Sequence, residues 1–407
     1  MIRFIKSAFW LLSFAFLCLC ARAENTSDQG LIRRILVFSD STSPEERLAS
    51  AKTSGGKIVR TLDLINAVVI EMPVAQMTSA QATLKQDPDI VRIDEDPILD
   101  WYESTTEGFA DAWLPDIHSA IKPFKSLSRR HPKPPKQNIP WGIARVNAPA
   151  AWPKTRGEGV AIAVIDGGVN KNHPGLKGNI AGGWNVINNT PDFKDETGHG
   201  THVSGIIAAI DTGRGVIGVA PKASIYGVKV LGKSGRGPLD DVIAGMQWAV
   251  NKKVQVANMS IGTTKDVEAL KKAVEAMNKA GVVLVAAVGN SSAPVRYPAA
   301  YPEAIAVAAS DINNHVARFS NGGPSVAFVA PGVDIKSTYI KNDYGSLSGT
   351  SMAAPHVAGL AALAIAAKGL SGPEAVRRAL KEAATALKDV PAEQQGAGII
   401  DAAKLIK

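Results

Sequence analysis

Four short stretches of this chain hold residues that could do chemistry together. Ser351 lies in Gly349-Thr350-Ser351, a small-residue turn that runs into an apolar stretch of helical period reaching Ala367. A hydroxyl there faces the N–H groups and the positive dipole end of a helix N-terminus. It reads either as a helix cap or as a nucleophile. His199 lies in Gly198-His-Gly-Thr-His-Val-Ser-Gly205. Two histidines three apart at a helix start read as a base or as metal ligands, and no third Cys, His or acid stands at ligand spacing. Asp166 directly follows an apolar run over residues 160–165, where it reads as a turn residue, a cap or a positioned carboxylate. Asn290 follows Val288-Gly289 and reads alone as a turn former. A serine near neutral pH needs a base within hydrogen-bond reach, a group to orient that base, and donors aimed at the developing oxyanion. The four residues supply one candidate for each role.

Those residues must be carried by a framework that brings them together. From Gly159 onward strand and helix patterns alternate: strands near 160–165, 225–231, 254–261, 282–288, 304–309 and 326–330, with helices near 199–210, 239–251, 267–280, 350–367 and 372–387. Near-continuous apolar strands between helices predict an α/β fold, a parallel sheet covered by helices on both faces. Ligand sites in such sheets lie at the carboxyl ends of the strands. Asp166 and Asn290 both stand at such ends. An earlier region reads as strand–helix–strand–strand–helix–strand over residues 31–93, a small ferredoxin-like α+β unit. Its first helix opens on Ser43-Pro44-Glu45-Glu46, a capping-box signature with proline at the first position. Residues 103–136 lose periodicity and end in the Pro- and Lys-rich 131–136, the expected linker.

Composition bounds the function classes. The chain has 407 residues, 45% of them hydrophobic and 20% charged, as expected for a soluble protein of one large and one small domain. Residues 1–23 combine Arg3 and Lys6, an apolar run over 8–20 and Ala21-Arg22-Ala23, which predicts a secretory signal peptide cut before Glu24. The run is short for a membrane span. Both cysteines, Cys18 and Cys20, lie inside it, so the exported chain cannot form a disulfide. The net charge of +8 falls to +5 once Arg3, Lys6 and Arg22 are removed. That surplus is modest, and no basic stripe with interleaved aromatics marks a nucleic-acid surface.

The motifs V-I-D-G-G, G-H-G-T-H-V-x-G, V-G-N and G-T-S-M-A-A-P-H, in this order, resemble those of the subtilisin-like serine proteases, from about Gln137 to the C-terminus. The resemblance implies a secreted endopeptidase in which Ser351 attacks, His199 moves the proton, Asp166 orients His199, and Asn290 binds the oxyanion. It implies that Ser260-Ile261-Gly262 and Gly235-Arg236-Gly237 flank the substrate, which binds between them as an added β-strand. These glycines read alone as ordinary turns. Residues 31–102 resemble the family's inhibitory propeptide, and the expected division is signal peptide 1–23, propeptide 24–102, linker 103–136 and catalytic domain 137–407. The expected partners are protein or peptide substrates and the chain's own propeptide, and the expected state is a monomer. The first cut is expected after Tyr102, with that tyrosine in the specificity pocket. Arg296 stands where the family usually has a small residue near the floor of that pocket. It reads either as a partner for an acidic substrate side chain or as an arginine turned outward. No cofactor is needed for the chemistry. The family's strong calcium site lacks a carboxylate here, because Gly175 stands where aspartate is usual. Thr212 stands where asparagine is common, and Gln137 matches a ligand position, so metal binding is left open.

Overall fold

The computed structural model describes residues 30–102 and 137–407. The expected signal peptide and the expected linker at 103–136 lie outside the described residues. The described chain divides into two compact units, one reaching Glu95 without residues 62–65, the other made of those four residues and Asp96–Lys407.

The first unit is built on β1 (Leu31–Phe38), α1 (Pro44–Thr53), β2 (Lys57–Leu62), β3 (Ala67–Pro73), α2 (Val74–Leu84) and β4 (Ile90–Glu95). The strands form one sheet in the order β2-β3-β1-β4, with β1 antiparallel to both neighbours. Both halves of the capping box exist: Glu46 N–H donates to Ser43 Oγ, and Ser43 N–H donates to Glu46 Oε2 at 2.9 Å. Leu36, Phe38, Val68, Ile70 and Met72 form one buried core with Met77 and Leu84 of α2.

The second unit opens on a short strand, β5 (Ile98–Asp100), and is centred on a seven-stranded parallel sheet. The sheet's strands are β6 (Ala161–Asp166), β7 (Ile180–Asn185), β8 (Ser224–Lys229), β10 (Val256–Met259), β11 (Val283–Ala287), β12 (Ile305–Ser310) and β13 (Val326–Pro331). A separate short strand, β9 (Arg236–Pro238), and a hairpin of β14 (Ile335–Thr338) and β15 (Tyr344–Leu347) lie outside the sheet. The spatial order is β13-β12-β11-β10-β6-β8-β7. From β6 the chain runs to the edge strand β7 and returns to place β8 between them, while β10 to β13 build out on the other side, so β6 and β10 flank a topological switch point, where ligand crevices open in such sheets. Edge strand β7, Ile-Ala-Gly-Gly-Trp-Asn, has no apolar run and escapes a periodicity search.

Helices α3 (His199–Ala208), α4 (Leu239–Asn251), α5 (Glu268–Lys279), α6 (Thr350–Lys368) and α7 (Pro373–Glu382) follow the predicted order. Among the described residues α6 is the one helix long and apolar enough to cross a membrane. Its first fifteen residues are almost all buried within the core of the second unit, which explains an apolar surface on every side. Gly200 lets α3 close on the loop after β6, because any side chain there would collide with the Gly168 carbonyl.

Two buried histidines belong to this core rather than to any site. His202 Nε2 meets Gly345 O at 3.1 Å, and His356 Nδ1 meets Met352 O at 2.8 Å. Burial pushes each pKa down to about 4. Both rings are therefore neutral in the fold, while an unfolded chain takes up protons near pH 6.5. The sign follows: the stabilisation is complete above pH 6.5 and is lost as pH falls through about 4. For a histidine at about 4, stability should fall on the order of 2–3 kcal/mol between pH 7 and 4.5. In urea unfolding, His356→Asn should show a shallower loss over that interval than wild type. Equal slopes would show that His356 is not the group that titrates.

Candidate active site

Asp166 ends β6 with its side chain wholly buried. A buried carboxylate needs donors. His199 Nδ1 lies 3.0 and 2.9 Å from its two oxygens, Gly167 N–H donates at 2.7 Å, and the Tyr102 hydroxyl donates at 2.5 Å. His199 opens α3, with its side chain 19% exposed. Burial alone lowers the pKa of His199, but the charge and hydrogen bond of Asp166, with Asp195 behind, outweigh it and raise the pKa above the ordinary value. The Tyr102 phenol is pushed the same way, first by burial and then by Asp166, so it keeps its proton and acts as a donor.

Ser351 stands in the first turn of α6. Its Oγ donates to Ser260 O at 2.9 Å rather than to His199. The Ser260 hydroxyl returns the bond, donating to Ser351 O at 2.8 Å. Proline explains this exchange. Pro355 lies four residues on inside α6 and has no N–H, so the Ser351 carbonyl lacks its helical donor. Asn258 Nδ2 in turn donates to Ser260 Oγ at 2.9 Å. Asn290 is held by its oxygen: Thr350 N–H and Thr350 Oγ1 donate to Oδ1 at 2.8 and 2.9 Å. The backbone donor settles which end of the amide is oxygen, so the NH₂ end faces the other way. His199, Ser351, Asn290, Ser260 and Met352 all line one pocket of about 220 Å³.

A segment of the chain itself, residues 98–102, lies between Gly235–Gly237 and Ser260–Gly262. β5 pairs antiparallel with β9, Leu99 opposite Gly237. Trp101 N–H donates to Gly235 O at 3.1 Å, and Gly262 N–H donates to Trp101 O at 3.0 Å. Ile261, 2% exposed, lines the pocket beside them. The expectation for Tyr102 is corrected. Its ring lies 4.7 Å from the His199 ring and its hydroxyl reaches Asp166, so the phenol does not fill the recess beside Arg296. The reason is electrostatic: a buried carboxylate is a stronger partner for a phenol than an apolar wall. Arg296 is turned inward. It lines the pocket, and its Nη2 donates to Ser291 Oγ at 3.0 Å.

Two further positioning residues were missed in the sequence. The buried Asp195 accepts from Thr197 and Gly198 N–H through Oδ1, and from Thr201 N–H and hydroxyl through Oδ2. It thereby shapes the turn that delivers His199, and an acid just ahead of a helix start was the available signal. Lys229, buried at the end of β8, donates to Gly167 O at 2.8 Å and Leu231 O at 3.0 Å and pairs with Glu196. A lone lysine in an apolar strand could have flagged it.

The residues present do not fit the strong calcium site that the resemblance implies. Gly175 brings no carboxylate, the Gln137 side-chain oxygen accepts from Gly213 N–H, and Asp211 pairs with Arg156 at 2.7 Å. Among the described residues no group of three or more His, Cys, Asp or Glu is placed to hold a metal ion.

The proline–serine exchange is testable. Ser260→Ala should cost about 1–2 kcal/mol in denaturant unfolding, because it strands a buried carbonyl. In a Pro355→Ala background the restored N–H can serve that carbonyl, and the cost should fall by half or more. Additivity within about 0.5 kcal/mol would show that the two positions are independent.

Comparison with known proteins places the chain among known relatives. Residues 157–398 match the subtilase family. Subtilisin BL of Lederbergia lenta is 46% identical over 268 residues, which is 65% of this chain and 98% of that protein. The M-protease of Shouchella clausii is also 46% identical, over 65% of this chain and 69% of that protein. Subtilisin J of Geobacillus stearothermophilus is 33% identical over 391 residues, covering 94% of this chain and 92% of that protein. The chain belongs to the subtilase family and is a subtilisin-like serine endopeptidase.

Proposed function

We propose that this chain is a secreted endopeptidase, made as a zymogen that cuts itself, and that Asp166, His199 and Ser351 are its catalytic triad. The observation that carries the reading is the single pocket lined by Ser351, Asn290 and a His199 already bound through Nδ1 to the buried Asp166. In the proposed reaction Ser351 Oγ leaves Ser260 O, attacks the substrate carbonyl and passes its proton to His199 Nε2. Asp166 keeps Nε2 as the basic nitrogen and stabilises the imidazolium. The oxyanion would be met by Asn290 Nδ2 and by Ser351 N–H, one of the N–H groups that a helix start leaves without an intrahelical partner. Collapse breaks the C–N bond as His199 returns the proton to the leaving amine. Water then hydrolyses the acyl-enzyme by the same path. The chemistry needs no cofactor.

Three observations support the zymogen and export parts of the reading. Residues 98–102 already lie as a strand between the Gly235–Gly237 and Ser260–Gly262 segments, as a bound peptide would. Similarity to Subtilisin J runs over 391 residues and so reaches into the N-terminal unit. Residues 1–23 have the charge and hydropathy pattern of a signal peptide. The N-terminal unit would act as the intramolecular inhibitor until it is released.

Ser351→Ala should give a folded chain of full precursor length that hydrolyses no casein. Maturation of that variant expressed alone would sink the self-cleavage claim. Asn290→Ala should keep the His199–Asp166 pair and lower kcat by about 10²–10³-fold, the usual cost of one oxyanion donor. A loss below about tenfold would remove Asn290 from that role.

A further inference from the structure

The phenol of Tyr102 stands in a recess that glycine keeps open. Gly167 directly follows Asp166, and a methyl group placed on it would sit 2.6 Å from the Tyr102 hydroxyl oxygen, too close for any side chain to stand there beside the phenol. Against the ring, Gly235 has a φ of +71°, and a methyl group on it would sit 2.4 Å from Tyr102 Cδ2. Glycine is required there twice, by the left-handed backbone and by the ring. The His199 ring closes the recess, its centroid 4.7 Å from that of Tyr102 and its plane tilted by 47°.

Inside the recess the hydroxyl both gives and receives. It donates to Asp166 Oδ1 at 2.5 Å and accepts from Gly167 N–H at 3.1 Å. One bond given and one received match what a phenol offers. A phenylalanine ring would fill the same space and leave the buried carboxylate with one donor fewer. An O-methylated tyrosine would be too long and could not donate. The recess therefore separates a phenol from its nearest isosteres by a polar contact rather than by volume, the kind of contact that discriminates most strongly. The register along the chain is fixed without the phenol. Trp101 is 1% exposed, its N–H donates to Gly235 O, its carbonyl accepts from Gly262 N–H, and its Nε1 donates to Gly237 O at 3.0 Å. An extended peptide anchored in this way delivers its next side chain to the recess.

We propose that this recess is a tyrosine-recognition site, that it makes the enzyme select extended peptide segments with a tyrosine over His199, and that Gly167 sets the selectivity. The proposal rests on the peptidase reading above and adds a substrate class to it. The gain lies in binding rather than in turnover, because the phenol draws on the same carboxylate charge that would stabilise the His199 imidazolium.

The test uses purified active enzyme, wild type and Gly167→Ala, hydrolysing fluorescently labelled casein. The competing probes are N-acetylated, C-amidated peptides of residues 97–102 with tyrosine, phenylalanine or O-methyltyrosine at the last position. In wild type the inhibition constant of the tyrosine peptide should lie about ten- to hundredfold below that of the phenylalanine peptide, the effect of one hydrogen bond to a charged group. The O-methyltyrosine peptide should inhibit no better than the phenylalanine one. In Gly167→Ala the tyrosine-to-phenylalanine ratio should fall toward one. Should that variant fail to fold, the three peptides on wild type decide alone. Equal constants for tyrosine and phenylalanine in wild type, O-methyltyrosine as strong as tyrosine, an unchanged ratio in Gly167→Ala, or inhibition by none of the three overturns the proposal and leaves the peptidase intact. No casein hydrolysis, together with no labelling of Ser351 by a fluorophosphonate, overturns the peptidase reading and this proposal with it.

Discussion

A buried negative charge at the end of a central strand organises this site. Asp166 is wholly inaccessible, and a carboxylate so placed is tolerable only if donors surround it. The fold supplies them from separate directions. Gly167 donates from the next peptide unit, His199 from the start of α3, and Tyr102 from the segment that enters the cleft. Orientation of the histidine is thus a by-product of satisfying the carboxylate. The turn that brings His199 there is itself held by a second buried acid, Asp195, which closes on the N–H groups ahead of α3. Two carboxylates behind one imidazole also explain why its pKa rises although burial alone would lower it.

Ser351 depends on a different constraint. Helix α6 passes through the middle of the core, so every polar backbone group near its start must be satisfied without water. Pro355 removes one donor, and the hydroxyl of Ser260, at the end of β10, replaces it. That exchange ties the helix carrying Ser351 to the segment that follows β10. Thr350 ties the same turn to Asn290. Three elements that line the pocket are therefore locked by hydrogen bonds made within one helical turn, the kind of rigid support that holds sub-ångström geometry.

Residues 98–102 show how an extended segment can occupy such a pocket. The backbone pairs with Gly235 and Gly262, contacts open to any sequence, while side chains decide where each residue settles. The phenol of Tyr102 finds Asp166 because burial there makes a hydrogen bond worth more than it is in water. The Arg296 stem passes close to Gly289, where a methyl group would sit 3.0 Å from its Cδ.

Much of this protein was legible in the linear chain. The apolar runs of β6, β10, β11, β12 and β13 are continuous because both faces of a parallel sheet are covered, and the capping box of α1 follows from four adjacent residues. Asp166, His199, Asn290 and Ser351 stood out because each sits at the junction of a periodic segment and a turn. Edge strand β7 did not, since pairing with β8 rather than an apolar pattern makes it a strand. Only the tertiary structure could decide that Tyr102 faces His199, that Arg296 turns inward, and that Ser260 and Ser351 trade hydrogen bonds across 91 positions of sequence. Local propensity and periodicity act over a few residues, so they are written in the sequence. The partner that a buried polar group finds is set by which distant segments the fold packs beside it.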